Sequence, residues 1–110
     1  MKTPSEGRLL RIFVDETDRW HGHSLYSAIV HKARQEGLAG ATVLKGIMGF
    51  GCRSRAAKDA LKLSENLPIV IEIVDSEENI NKFLPSLDEM IREGLITMGK
   101  ANVIMYQANA

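Results

Sequence analysis

Cysteine is nearly absent from this sequence of 110 residues, in which Cys52 is the only one. A single thiol excludes an intramolecular disulfide and a zinc site built from several cysteines. The simpler interpretation is a protein of a reducing compartment, and we expect it in the cytoplasm. No histidine stands near Cys52 in the sequence to activate it, so the pattern does not favour a catalytic thiol.

An excess of charge of one sign is also missing, because 14 basic residues balance 14 acidic ones. A nucleic-acid binder that relies on its overall charge is normally basic, so we predict no nucleic-acid partner. Long apolar runs are absent as well, and neither a signal peptide nor a membrane span is predicted. These absences leave a small soluble protein that can still carry a local anion site.

The composition, with 45% hydrophobic and 25% charged residues, fits a single domain over residues 1–110, of which 1–7 are predicted to be a disordered leader. Apolar and β-branched runs predict strands at 8–16, 41–47, 67–74 and 96–106, the last interrupted near Gly99. Helical spacing predicts one helix capped by Ser24 and a second capped at Asp75 or Ser76. Pro85 should distort the second helix, and residues 54–66 favour a short helix or a mobile loop.

The predicted order is strand, helix, strand, strand, helix, strand. It indicates an α+β, ferredoxin-like βαββαβ fold, with an antiparallel sheet and two helices on one face. The other face of the sheet is then left without a cover. Because the strand 69–74 is too apolar to face water on that side, we expect another copy of the chain to cover it.

Glycines and arginines are concentrated in the stretch 37–55, GLAGATVLKGIMGFGCRSR. Glycines such as Gly49 and Gly51 let a backbone approach a ligand closely. The guanidinium groups of Arg53 and Arg55 can bind phosphate through paired donors. The stretch therefore indicates an anion-binding, nucleotide-type loop, although glycines used only for turns would give a similar pattern.

Four segments carry a resemblance to a known family: DRWHGHSLYSAIV, GLAGATVLKGIMGFG, LKLSENLPIVIEIVD and LPSLDEMIREGLIT. They resemble the PII-like family called domain-of-unknown-function family 190, within the PII signalling superfamily. PII proteins have a Gly-x-x-Gly-x-Thr-Val segment, a Gly-Phe-Gly turn and a later Gly-x-Ile-x-x-Gly-Lys segment. The first begins at Gly37 here, the second at Gly49 and the third at Gly94.

The resemblance implies a PII-like homotrimer that binds an adenine nucleotide in three clefts between subunits. Residues matching the motifs would form the ligand site: Thr42, Gly49, Phe50, Gly51, Arg53, Arg55, Gly99 and Lys100. Backbone N–H groups of the glycines would face phosphate oxygens, and the three cationic side chains would donate to them. Thr42 would contact the base or the ribose.

Departures from the PII pattern refine this expectation. The basic pair that PII proteins carry late in the chain is absent, which favours AMP or ADP over a triphosphate. The tyrosine that some PII proteins have modified is also absent, which implies no control by uridylylation. The resemblance further points to a membrane channel or transporter as a partner. Neither a catalytic residue nor a cofactor is required, because a sensor needs only different ligand affinities in two states of the loop after Phe50.

Two other functions stay open at this point. His21 and His23, with nearby carboxylates at Asp15, Glu16 and Asp18, suit a divalent ion and would indicate a metal-tolerance trimer. Acylphosphatases, which are small enzymes of ferredoxin-like fold, use an arginine and an asparagine, and these roles would fall to Arg53 and Asn102. Two aromatic side chains, Trp20 and Tyr26, could stack on a base, but packing or an oligomer interface is the favoured interpretation.

Overall fold

The computed structural model describes residues 3–51 and 67–108. Its eight elements follow one another along the chain: β1 (Ser5–Asp15), β2 (Arg19–Trp20), β3 (His23–Ser24), α1 (Leu25–Gln35), β4 (Thr42–Lys45), β5 (Pro68–Asp75), α2 (Glu77–Met90) and β6 (Leu95–Val103). The predicted element at 54–66 lies outside the described residues. Neither of the described helices is long and apolar enough to cross a membrane.

Four strands form one antiparallel sheet in the order β4-β5-β1-β6. This is the predicted ferredoxin-like arrangement, in which the first and third long strands lie at the centre. Side chains alternate between the two faces of a strand. On the two central strands one face is buried and contains Leu10, Ile12 and Val14 from β1 and Ile69, Ile71 and Ile73 from β5.

Both helices pack on that buried face, as the helical spacing predicts. The buried residues of α1 are Leu25, Ile29 and Ala33, and those of α2 are Ile80, Phe83, Leu87 and Met90. Pro85 lies inside α2 without ending it, and the helix continues to Met90. The opposite side of the sheet has no helix over it in the described part of the chain.

The ends of two strands differ from the prediction. Strand β1 begins at Ser5, so residues 5–7 belong to the sheet and not to a leader. They pair with the far end of β6, where Ser5 lies opposite Val103. Strand β6 passes through Gly99 without interruption. Both differences have one cause, since long-range pairing between the two strands fixes residues whose local sequence gives no strand signal.

A short hairpin, β2–β3, occupies the segment predicted as a loop before the first helix. Its two-residue turn has positive φ at His21 (48°) and at Gly22 (81°), as a type I′ turn requires. Ser24 stands at the start of α1 but its side chain makes no capping hydrogen bond. The N–H of Leu25 instead donates to the carbonyl of Asp18 at 2.8 Å, so the residue just before the hairpin satisfies the first N–H of the helix.

Asp75 connects the start of α2 to the loop that follows α1. One carboxylate oxygen accepts from the Ala39 N–H at 2.9 Å. The other accepts from the Ser76 N–H at 2.7 Å and from the Asn79 side chain at 3.0 Å. Partial burial raises the pKa of Asp75, but these hydrogen bonds outweigh it and leave the pKa below its ordinary value.

We expect Asp75→Asn to lower the free energy of unfolding by about 1 kcal/mol at pH 7, because the amide cannot accept all three hydrogen bonds. A lowered carboxyl pKa stabilises the fold above its unfolded value, and this contribution is lost as the pH falls through the folded value. Urea unfolding of wild type and variant should therefore differ at pH 7 and converge well below about pH 4. Asp88→Asn, at an exposed position of α2, is the control and should change little. A difference that persists undiminished in acid would contradict the assigned role of the charge.

Candidate nucleotide site and its relatives

Residues 46–51 of the stretch 37–55, here called the glycine-rich segment, follow the end of β4, which is an edge strand of the sheet. The Gly46 N–H donates to the Pro68 carbonyl at 2.8 Å. A Cβ on Gly46 would lie 2.7 Å from the Pro68 ring, so a side chain at this position would force the two strands apart. Gly51 has φ of 108°, a conformation that favours glycine. Close packing against Pro68 thus explains Gly46, and backbone conformation explains Gly51. Gly49 has an ordinary φ, but a Cβ there would lie 3.2 Å from the Pro68 ring.

Apolar side chains in the same segment are unusually exposed. Ile47 is 92% exposed, Met48 69% and Phe50 72%. Solvent exposure of three large apolar groups within four residues is unfavourable for a surface that stays in water. Their exposure in the single chain agrees with a segment that contacts a ligand or another subunit.

The predicted site residues fall into two groups at opposite edges of the sheet. Thr42, Gly49, Phe50 and Gly51 lie on β4 or just after it, and Gly99 and Lys100 lie on β6. Two strands, β5 and β1, separate these edges, which places them about 14 Å apart at the usual strand spacing.

The two groups of predicted site residues are also displaced from each other along the direction of the strands. Lys45 lies opposite Ile69, near the end of the sheet where β6 begins, whereas Gly99 lies opposite Leu9 towards the other end. One chain therefore does not bring the two groups together. Arg53 and Arg55 lie outside the described residues.

The side of the sheet away from the helices, here called the uncovered face, is mostly apolar. Residues directly opposite one another share a face, so the strand register assigns to it Leu9, Phe13, Leu44, Val70, Val74 and Leu95. Leu44 is 47% exposed and Leu95 52%. A polar row crosses this face from Thr42 through Glu72 and Arg11 to Thr97. In it the Arg11 Nε donates to Glu72 at 2.8 Å.

Three residues form a junction, here called the Glu16 junction: Glu16, Lys45 and Leu67. Lys45 is the last residue of β4, and Leu67 directly precedes β5. Glu16 accepts from the Leu67 N–H at 2.8 Å, and its own N–H donates to the Leu67 carbonyl at 3.2 Å. Its second carboxylate oxygen lies 2.9 Å from the Lys45 ammonium. The bond from Leu67, followed by that from Lys45, lowers the pKa of Glu16, and Glu16 raises the pKa of Lys45.

Sequence reasoning missed this junction. Its partners are up to 51 residues apart in the chain, and a single sequence does not show which distant side chains meet. The one local indication in the sequence was Lys45 itself, a lysine directly before Gly46 and within the stretch 37–55 that was predicted to bind anions.

The proposed metal ligands have other contacts. Asp15 accepts from the N–H and the hydroxyl of Thr17, Asp18 accepts from the Asp15 N–H, and Glu16 belongs to the junction above. Among residues 3–51 and 67–108, no three His, Cys, Asp or Glu side chains form a group that could hold a metal ion. His21 stacks on Trp20 with ring centroids 3.9 Å apart. The hairpin therefore supports the packing interpretation of Trp20.

Asn102, the second residue of the acylphosphatase hypothesis, is exposed on β6 opposite Glu6. Its suggested partner Arg53 is not among the described residues. An open groove of about 600 Å³ runs along the outer side of α1, between Trp20 and helix residues such as His31 and Lys32. It contains none of the residues predicted to bind the nucleotide, but Trp20 and His23, considered above for base stacking and for metal binding, line it.

Comparison with known proteins places these features in a family. The family DUF190, described as Uncharacterized ACR, COG1993, matches residues 7–103. The UPF0166 protein MJ1524 of Methanocaldococcus jannaschii is 44% identical over 99 residues, which cover 89% of this chain and 92% of the relative.

Solved structures with a similar fold include CPII from Thiomonas intermedia K12, a nitrogen regulatory PII-like protein. Its apo form has a TM-score of 0.66 at 13% identity, covering 91% of this chain and 94% of CPII. A second CPII structure, bound to ADP, AMP and bicarbonate, has a TM-score of 0.62 at 15% identity, covering 93% and 99%. The match over residues 7–103 and the relative at 44% identity show that the chain belongs to the DUF190 family, and its fold is that of the PII-like proteins.

Proposed function

We propose that this protein is a PII-like regulatory protein that binds an adenine nucleotide, AMP or ADP in preference to ATP, in clefts between the subunits of a homotrimer. Binding would change the loop after Phe50 and thereby the surface offered to a partner. The protein would act in the cytoplasm, without nucleic acid, and the partner would be a membrane channel or transporter. No catalytic group is needed, because different affinities for two loop states suffice.

One observation carries this proposal: the two halves of the predicted site lie at opposite edges of one sheet. Thr42, Gly49 and Gly51 are on one side, with Gly99 and Lys100 on the other. A subunit that presents both edges can join its β4 edge to the β6 edge of a neighbour. Repeated around a threefold axis, this contact closes a ring and forms three equal clefts.

The uncovered face supports the same arrangement. Its apolar side chains would be removed from water when three copies meet, which would stabilise the assembly. The apolar groups at Ile47, Met48 and Phe50 lie next to the proposed cleft and would be shielded with it. A similar fold in CPII, solved with ADP and AMP bound, makes adenine nucleotides the first ligands to test.

Roles in the cleft follow from residue chemistry. Backbone N–H groups at Gly49 and Gly51 would face phosphate oxygens, and Arg53, Arg55 and Lys100 would supply the cationic donors. Thr42, which is exposed at the edge of the polar row, would bind the base or the ribose. The small number of cations is the reason for favouring a monophosphate or diphosphate.

Thermal unfolding in the presence of AMP, ADP, ATP and divalent ions tests the proposal. A ligand that binds only the folded state stabilises it by about 2.7 kcal/mol at a free concentration 100 times its Kd. We expect AMP or ADP to raise the Tm in a concentration-dependent way and Arg53→Ala to abolish the shift.

Arg92→Ala, at an exposed position after α2, is the matched control and should retain the shift. If no adenine nucleotide changes the Tm of the wild type, the proposed function is wrong. A shift with a divalent ion alone would favour the metal hypothesis.

A further inference from the structure

Lys45 occupies the one position in β4 that is next to the glycine-rich segment. Its ammonium lies 2.9 Å from Glu16, and just over half of its side chain, 56%, remains exposed to solvent. Gly46, the next residue, is fixed to Pro68 by a backbone hydrogen bond of 2.8 Å. The base of the lysine side chain is therefore fixed by the sheet, whereas its charged end is accessible.

The bond between Lys45 and Glu16 is of a kind that a ligand can replace. A half-exposed ion pair contributes little net stability, because both groups are well solvated when apart. Lysine has a long, flexible side chain with three donors, and a phosphate group has a higher charge and more acceptor oxygens than a carboxylate. A phosphate placed at the glycine-rich segment would compete directly with Glu16 for this ammonium.

If Lys45 moved away from Glu16, then Leu67 would be the only partner of Glu16 left in the junction. Its bonds with Leu67 would remain, while its link to the end of β4 would be lost. An exchange of partners by Lys45 would thus remove one of the contacts that join the end of β4 to the start of β5.

We propose that Lys45 is a phosphate-binding residue of the nucleotide site and that it exchanges Glu16 for the phosphate when the nucleotide binds. This inference rests on the proposed function and adds to it a residue that the family motifs do not include. Glu16 acts here as a positioning residue: it holds the ammonium beside the site and competes with the ligand for it.

The test compares ADP with adenosine by isothermal titration of the intact protein. We expect Lys45→Met to weaken ADP binding by roughly 10- to 100-fold and to leave adenosine binding unchanged, since adenosine has no phosphate. Glu16→Gln should strengthen ADP binding by about two- to fivefold, the size of a surface ion pair. Glutamine keeps an oxygen for the Leu67 N–H, so this variant preserves the other half of the junction.

Matched controls come from the exposed ion pair of Lys82 and Glu78 on α2, whose charged atoms are 3.1 Å apart. Lys82→Met and Glu78→Gln make the same chemical changes away from the site and should leave both affinities unchanged. The inference is overturned if wild type binds ADP and Lys45→Met binds it equally well, or if Lys45→Met weakens ADP and adenosine alike. If wild type binds no adenine nucleotide, the proposed function itself fails, and the inference fails with it.

Discussion

If the protein is the trimer proposed above, replacing Val70 with aspartate is expected to convert it into monomers and to abolish nucleotide binding. Val70 lies on the uncovered face, in a row with Leu44 on β4 and Phe13 on β1. In a threefold assembly each substitution places three carboxylates in the contact between subunits. Burying unpaired charges is strongly unfavourable, by several kcal/mol for each ion. Because the two halves of the proposed site would come from different subunits, loss of the assembly removes the site.

Sedimentation equilibrium and ADP titration on the same samples check this expectation. Val70→Thr is the matched control, because it keeps the branched shape and adds no charge, and it should retain both assembly and binding. The neighbouring Ile69 and Ile71 face the helices, so the fold of the aspartate variant should persist, and far-UV circular dichroism would show it. A Val70→Asp protein of unchanged mass that still binds ADP would show that the uncovered face is not the contact between subunits.

Replacing Leu87 with alanine is expected to lower the free energy of unfolding by about 2–5 kcal/mol. Leu87 is fully buried in the last turn of α2, on the face of the helix that packs on the sheet. The change removes apolar contacts and leaves a cavity in a core that is closely packed on every side. For a chain of this size such a loss is a large part of the total stability.

Leu84→Ala gives a matched comparison in the same helix. Leu84 is only partly buried, so we expect about 1 kcal/mol or less, in proportion to the area it removes from water. Helix propensity cancels between the two variants, because the residue change is identical. Urea unfolding should be measured at one protein concentration, since assembly shifts apparent stability. Equal losses for the two variants would contradict the assignment of Leu87 to the core.

Periodic patterns in the sequence identified the elements with the strongest apolar faces. The helix α2 and the apolar strand β5 were predicted because the pattern that indicates each of them lies within one element. The order of elements then indicated the ferredoxin-like sheet. In both cases the information is local, so a single sequence contains it.

Features that depend on distant contacts could not be predicted in the same way. Residues 5–7 are strand residues only because β6 lies beside them. The β2–β3 hairpin depends on a positive φ at His21, which a residue other than glycine seldom adopts. Glu16 looked like a metal ligand because acidic residues surround it in sequence, yet its partners are Lys45 at the end of β4 and Leu67 just before β5.

Only part of the candidate site could be predicted from the residues. Glycine and arginine types suggested an anion loop, and the family resemblance supplied the matching positions on β6. Neither argument reveals that Thr42 and Gly99 stand at opposite edges of a sheet, because strand order is a property of the folded chain. Because the two groups are separated in one subunit, the proposed site needs an assembly of subunits.

The central position of β1 has a consequence for how the chain acquires its structure. Its first residue pairs with Val103, 98 positions later, and its other neighbour β5 begins only at Pro68. Closing such long loops costs entropy before the contacts can form, so folding should be slow for a protein of this size. During synthesis β1 is made before β5 and β6, the two strands with which it pairs. Until those strands are made, the leucine, isoleucine and valine side chains of β1 are exposed to aggregation.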